Sequence, residues 1–299
     1  MHACCIIRAM TRKGLVVVNA YEVFPSVSHM VKRLQEEFGI FNVALKVKTS
    51  ADCLAIIKDD QEPLDYDFGI FLDKDIYVAT MLEKRGLRLF NSAASIFATD
   101  DKMRTHILLS DSGIKMPKTV SAPLRYSKKD NPVFLENVQS ELSFPIIAKE
   151  NYGSQGKGVY IAKNEKELAE LEEKLAFIPH IYQEFIASSS GKDIRIIVIG
   201  GKAIAWMERE SQSGDFRSNI ALGGIGRAVS LDKEFLAMAE KAAKTLRLDY
   251  CGVDLLIGKD GEPILCEVNS NAFIQGIEQV TGVNVAEAYV RHILEVLSL

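Results

Sequence analysis

The sequence predicts a mixed α/β and α+β protein: an N-terminal domain of parallel βαβ units, then a two-lobed region whose strands pair as antiparallel hairpins. Over the first hundred residues, short apolar runs rich in β-formers alternate with helical patterns, the order that builds a parallel sheet with crossovers. From Phe144 onward, apolar runs double back through glycine-containing turns, as antiparallel strands do. A length of 299 residues exceeds the usual single-domain size, so two or three lobes sharing a cleft are expected.

In chain order, GLVVVNAY, NVALKVKT, DFGIFLD and LRLFN read as strands, with helical patterns in SVSHMVKRLQEEFG, ADCLAIIKDD and IYVATMLEKRG between them. The turn after GLVVVNAY reads EVFPSVS and has no GxGxxG, so the dinucleotide cradle of a nicotinamide dehydrogenase is missing. Near Asn91 the pattern changes to a helix, SIFATDDKMRTHILLSDSG, with Thr99 as its expected N-cap and Gly113 as its stop. Domains are therefore expected at 1–95, 96–183 and 184–299. The second holds FPIIAKE and GVYIAKN around a glycine loop, the helix EKELAELEEKLAF and the strand IYQEFI. The third holds the hairpin DIRIIVIGGKAIAWMERE, a polar loop, the helix KEFLAMAEKAAKTLRL, a second hairpin and a closing helix from about Val283.

Composition excludes several classes. Hydrophobic residues make up 47% and charged residues 25%, an ordinary globular balance, and no stretch approaches the roughly 20 apolar residues of a membrane span. The start MHACCIIRAMTRKGL lacks the basic-then-apolar order of a secretory signal, so a cytoplasmic protein is expected. Cys4, Cys5, Cys53, Cys251 and Cys266 form no CxxC and have no histidines at zinc spacing, which suits reduced thiols. A net charge of −4 argues against a nucleic-acid partner.

The most informative stretch is CGVDLLIGKDGEPILCEVNSN, two apolar runs joined at Asp260-Gly261, the dipeptide favoured in a two-residue type I′ turn. That turn sets Asp254 opposite Glu267 and Gly252 opposite Asn269, with Val253, Leu255 and Ile257 facing the core against Ile264, Cys266 and Val268. Carboxylates so paired have Cβ atoms about 4.5–5.5 Å apart and destabilise the sheet unless a positive charge lies between them. A divalent metal held by Asp254, Glu267 and Asn269 would supply it, and few hard oxygen ligands suit Mg2+, with Gly252 leaving room for a phosphate. The alternative is a solvated acidic pair on an ordinary hairpin.

Lys149 ends an apolar strand before ENYGSQGKGV, whose Gly153, Gly156 and Gly158 lie in a loop that returns at once to a strand. No GxxxxGK[ST] is present, so this is not a Walker loop. A glycine loop between antiparallel strands suits a lid over a triphosphate, or is a plain flexible hairpin. In RESQSGDFRSNIALGGIGR, the succession Arg217, Ser218, Asn219 suits anionic oxygens. A turn at Gly200-Gly201 sets Arg195 opposite Trp206, for stacking, and Asp193 opposite Glu208. Asp193 then faces ribose or metal, or joins a salt bridge within the sheet. His2, His29, His106, His180 and His292 are scattered and receive no role.

The order DDKMRTHILLSDSGIKMP, FPIIAKENYGSQGKGV, IYQEFI, DIRIIVIGG, GDFRSN, CGVDLL and CEVNSN resembles the ATP-grasp superfamily, and within it the RimK-like family of glutamate ligases. The likeness runs from about residue 90 to the end. It implies a two-lobed ATP-grasp fold after the βαβ domain. Lys102 and Lys149 would contact ATP phosphates, Gln183, Glu184 and Phe185 would form the adenine-side hinge, and Asp193 would lie near the nucleotide. Arg217, Ser218 and Asn219 would sit at the terminal phosphates, Arg217 and Asn219 being catalytic, and Asp254, Glu267 and Asn269 would hold Mg2+ or Mn2+. After Asn269 the chain reads SNAFIQGIE, where relatives often carry a small-residue and proline turn bordering the acceptor.

The resemblance implies an ADP-forming ligase that joins a carboxylate to an amino acid or other amine through an acyl-phosphate. A phosphotransferase on the same fold, a nucleotide-binding regulator without turnover, and a homo-oligomeric state are left open.

Overall fold

The computed structural model describes residues 12–58, 62–127, 129, 131–153, 156–218 and 223–298. The chain divides into two compact units, Met1–Ala93 with Ala286–Leu299, and Ala94–Val285. Cys4, Cys5 and His2 lie outside the described residues, and so does Asn219.

The first unit is a parallel sheet of β1 (Arg12–Val18), β2 (Val43–Thr49), β3 (Phe68–Leu72) and β4 (Leu89–Phe90), in the order β2-β1-β3-β4. Continuous apolar runs such as Leu15 to Val18 and Phe68 to Leu72 are buried throughout, as in a sheet covered on both faces. Helix α1 (Pro25–Ile40) begins on a proline whose fixed φ suits the first turn, and buries Val27, Met30, Leu34 and Phe38 at helical spacing. Helix α2 (Ile76–Lys84) is capped by the Asp75 carboxylate, which accepts from the backbone of Tyr77 and Val78. The expected helix at ADCLAIIKDD reduces to a 3₁₀ turn over Ser50–Asp52. Thr49 and Asp52 close a reciprocal cap there, and the next apolar side chains, Leu54, Ile56 and Ile57, are exposed rather than buried.

The second unit opens with two helices where one was expected, α3 (Ala93–Asp100) and α4 (Lys102–Leu109). Thr99 is not the cap: its hydroxyl bonds back to the carbonyls of Ser95 and Ile96 inside α3, while the Asp101 carboxylate accepts from Arg104 N and starts α4. Gly113, at φ 69°, ends the segment as expected.

Two antiparallel sheets complete the unit's framework. The smaller, in the order β5-β8-β6-β7, comprises β5 (Thr119–Ser121), β6 (Ile146–Glu150), β7 (Val159–Ala162) and β8 (His180–Glu184). Helices α5 (Pro132–Glu141) and α6 (Glu165–Lys174) accompany it. Alternation along β6 sends Ile146 and Ala148 into a core with Val138, Leu168 and Tyr182, and leaves Ile147 and Lys149 on the opposite face.

The larger sheet runs β11-β10-β9-β12-β13: β9 (Lys192–Ile199), β10 (Lys202–Glu210), β11 (Ile225–Arg227), β12 (Tyr250–Ile257) and β13 (Pro263–Asn269). Helix α7 (Lys233–Thr245) covers one face with Phe235, Ala239, Ala242 and Ala243 against Ile194, Ile196, Val253 and Leu255. The other face carries the charged residues. A short α8 (Gln275–Thr281) and α9 (Val285–Val296) complete the chain; α9 belongs to the first unit, where the Tyr289 hydroxyl donates to Phe90 O. Among the described residues no helix is long and apolar enough to cross a membrane.

Candidate functional site

The acid pair forms as expected, by a different route. Asp254 faces Glu267 and Gly252 faces Asn269, but the connection is not a two-residue turn. Gly258 N bonds Glu262 O across a longer loop, Ile257 pairs with Pro263, and a bulge at Cys266 restores the expected register beyond it. The extra residue turns Cys266 away from the core face predicted for it and places Leu265 there instead. Burial pushes the Cys266 thiol up against the opposing pull of Lys149, so it is no thiolate nucleophile.

The β9–β10 hairpin turns at Gly200-Gly201 as predicted, yet a bulge between Ala203 and Ala205 slips the register by one. Arg195 therefore stands opposite Met207 rather than Trp206, and Asp193 opposite Arg209 rather than Glu208. Trp206 is not stacked on Arg195; its Nε1 donates to Val229 O.

The slip on β10 brings Arg209 into an alternating charge network on one face of β9, β10 and β12, in which the regular β9–β12 pairing already sets Arg195 opposite Asp254. Arg195 forks onto Asp254 through Nε and Nη2. Arg209 forks onto Asp193, with Nε 2.7 Å from Oδ1, and its Nη2 lies 3.1 Å from Asp254 Oδ2. Burial alone would raise the Asp254 carboxyl, but Arg195 and Arg209 hold it below the usual carboxylate range. Burial likewise opposes charge on Arg209, and Asp193 and Asp254 reverse that. The positive charge that the acid pair requires is thus present in the protein itself. The space beside Gly252 is not left open for a phosphate, because a Cβ there would lie 2.5 Å from Ala272 Cβ and 3.1 Å from Arg195 Nη1.

The opposite wall of the cleft comes from the smaller sheet and α4. Lys149 Nζ donates to Gln183 Oε1 at 2.6 Å and approaches Cys266 Sγ at 3.6 Å. Lys102 Nζ lies 3.3 Å from Glu267 Oε1 and donates to Gly153 O at 3.1 Å. Arg217, clamped by the Asp215 carboxylate, donates through Nη1 to Gly156 O at 2.9 Å. Two cations predicted to meet phosphate therefore hold both shoulders of the glycine loop. The hydrogen bond with Arg217 lowers the Asp215 carboxyl, and the same bond raises Arg217. Gly156 and Gly158 adopt φ of 76° and 70°, where glycine is favoured.

Ten of the predicted residues line one cleft: Lys102, Lys149, Gln183, Glu184, Phe185, Asp193, Arg217, Ser218, Asp254 and Glu267. Lysines 157 and 192 and Arg209 join them, so cations outnumber carboxylates and the cleft suits a polyanion. The sequence over residues 99–293 matches the RimK-like ATP-grasp domain. The chain belongs to the RimK-like ATP-grasp family.

This RimK-like protein is 33% identical over 215 residues to beta-citrylglutamate synthase B of Homo sapiens, an alignment covering 72% of this chain and 55% of that one. It is 39% identical over 211 residues to a probable alpha-L-glutamate ligase of Psychromonas ingrahamii, covering 70% of this chain and 68% of the relative. The chain thus spans about half the length of the human synthase it matches. The D-alanine–D-alanine ligase of Bacillus anthracis shares the ATP-grasp fold, with a TM-score of 0.70 at 18% identity over 96% of this chain and 97% of that one.

Asn269 is outside the cleft lining, and its Nδ2 lies 3.5 Å from Asp254 Oδ2. Among the described residues no three His, Cys, Asp or Glu side chains gather as a metal site. Carboxylates on adjacent strands, with the Asn269 amide beside Asp254, nevertheless fit Mg2+, a hard ion that binds through one or two carboxylates and completes its shell from phosphates and water. The RimK-like site is also built with side chains that the sequence alone does not place there. Arg209 reaches the lining through a register slip that leaves no local mark, while Arg195 and His106 stand behind it, bonded to the lining residues Asp254 and Gln183 on elements distant in sequence.

Proposed function

We propose that the chain is an ADP-forming, ATP-dependent carboxylate–amine ligase. The observation that carries the reading is the convergence of Lys102, Lys149, Arg217 and the Asp254–Glu267 pair on one cation-rich cleft. A carboxylate takes the γ-phosphoryl group of ATP, giving an acyl-phosphate and ADP, and an amine then displaces phosphate to leave an amide. Lys102 and Lys149 neutralise the phosphates, and Arg217 with Asn219 stabilises the charge that spreads over the transferring group. Gln183, Glu184 and Phe185 border the adenine, Asp193 lies near the nucleotide, and Ser218 donates to the terminal phosphates. Mg2+, or Mn2+ in the same donor set of Asp254, Glu267 and Asn269, supplies charge neutralisation at the phosphates. The chemistry needs positioning more than a protein nucleophile, which agrees with protonated Cys251 and Cys266, both raised first of all by burial.

The names of the relatives direct the amine to glutamate and the acid to a small carboxylate such as citrate; a peptide acceptor and a cytoplasmic location are carried over from the sequence reading alone. The test is ADP formation across paired amino acids and carboxylates, with the product identified by mass. ADP released only when both are present, with a product heavier than the acid by the amine minus water, supports the ligase. ADP with a phosphorylated single acceptor identifies a phosphotransferase instead. Glu267→Gln is expected to lower turnover by about 10²-fold or more, in the range seen when a group stabilising transition-state charge is removed.

A further inference from the structure

Gln183 is 1% exposed, and its side-chain amide can face only one way. Lysine has donors alone, so the oxygen must point to Lys149 Nζ, 2.6 Å away. The amide nitrogen then spends its two hydrogens on Thr119 Oγ1 at 2.9 Å and His106 Nε2 at 2.8 Å. Thr119 has already committed its own hydrogen to Pro117 O at 2.8 Å, so it accepts here. His106 Nε2 must likewise offer a lone pair, which makes the imidazole neutral with its proton on Nδ1. Burial, and then the nearby charge of Lys149, favour that same neutral form.

We infer that His106 is a positioning residue: by accepting from Gln183 it locks the amide, and the locked amide oxygen sets the place of the Lys149 ammonium in the cleft. Lys102 and His106 stand four residues apart on one face of α4, so a single helical turn delivers one lysine and orients the other. Without the imidazole acceptor, the amide keeps one anchor of two and turns. Lys149 is then left with Cys266 Sγ at 3.6 Å, a weak acceptor. The inference rests on the reading of Lys149 as a phosphate-contacting group.

The test compares wild type, His106→Phe, His106→Gln, Lys149→Met and the His106→Phe/Lys149→Met pair in the full chain. A non-hydrolysable ATP analogue with Mg2+ is titrated by calorimetry, and melting temperatures are recorded alongside. His106→Phe fills the ring's volume without an acceptor and is expected to weaken binding about tenfold, ~1.4 kcal/mol. His106→Gln restores an acceptor and is expected to recover affinity to within about threefold, ~0.65 kcal/mol. In the Lys149→Met background, His106→Phe should cause no further loss. Should His106→Phe not fold, His106→Leu carries the same comparison. A lowered melting temperature with unchanged affinity, or losses that add fully in the pair, would overturn the inference alone. A wild-type protein that binds no ATP analogue overturns the nucleotide reading and this inference together.

Discussion

Removing Arg209 isolates the energetic logic of the charged face. Arg209, Asp193 and Asp254 are 5%, 7% and 3% exposed, so little water reaches them to replace a lost partner. In Arg209→Met, Asp254 keeps both contacts from Arg195, whereas Asp193 loses the guanidinium that bonds both its oxygens. Stranding a buried carboxylate costs about 3–5 kcal/mol, a large part of the ~5–15 kcal/mol that holds a domain folded. The penalty belongs to the stranded charge and not to the lost attraction, so Arg209→Met/Asp193→Leu should recover most of it and unfold within about 1 kcal/mol of wild type. Urea denaturation at pH 7, with slopes compared to confirm a common unfolded state, reads wild type and the two variants side by side. A single variant within about 1 kcal/mol of wild type, or a double variant no more stable than the single, would refute the reasoning.

Two further outcomes are expected from the same cleft. Burial, then Lys149, lowers His106 from 6.5 to about 4 against the opposing influence of Glu267. The unfolded chain therefore takes up a proton between pH 6.5 and 4 that the folded one refuses, so stability falls as pH drops through that window. His106 accounts for about 2 kcal/mol of loss between pH 7 and 5. That share of the slope should vanish in His106→Phe, and an unchanged slope in denaturant titrations would count against it. Gly252→Ala places a Cβ 2.5 Å from Ala272 Cβ and 3.1 Å from Arg195 Nη1. It should cost about 1–3 kcal/mol in thermal unfolding and disturb the fork onto Asp254, so an unaltered melting temperature would show that the space is not filled.

The sequence by itself determined the strand and helix alternation of the first unit and the Gly200-Gly201 turn, because side-chain periodicity and turn chemistry are local properties. It also exposed the succession of motifs that marks the family. Tertiary structure alone decided which charges face one another. The bulges at Cys266 and between Ala203 and Ala205 add one residue each to a ladder, carry no compositional signature, and reverse the face of every residue beyond them on the strand. One slip moved Arg195 off Trp206, while the other repaired a register predicted from the wrong turn. Gln183 and His106 lie 77 residues apart, and Arg195 and Asp254 lie 59 apart. Partners so distant are chosen when strands and helices pack, since no local propensity says which buried donor will meet which acceptor.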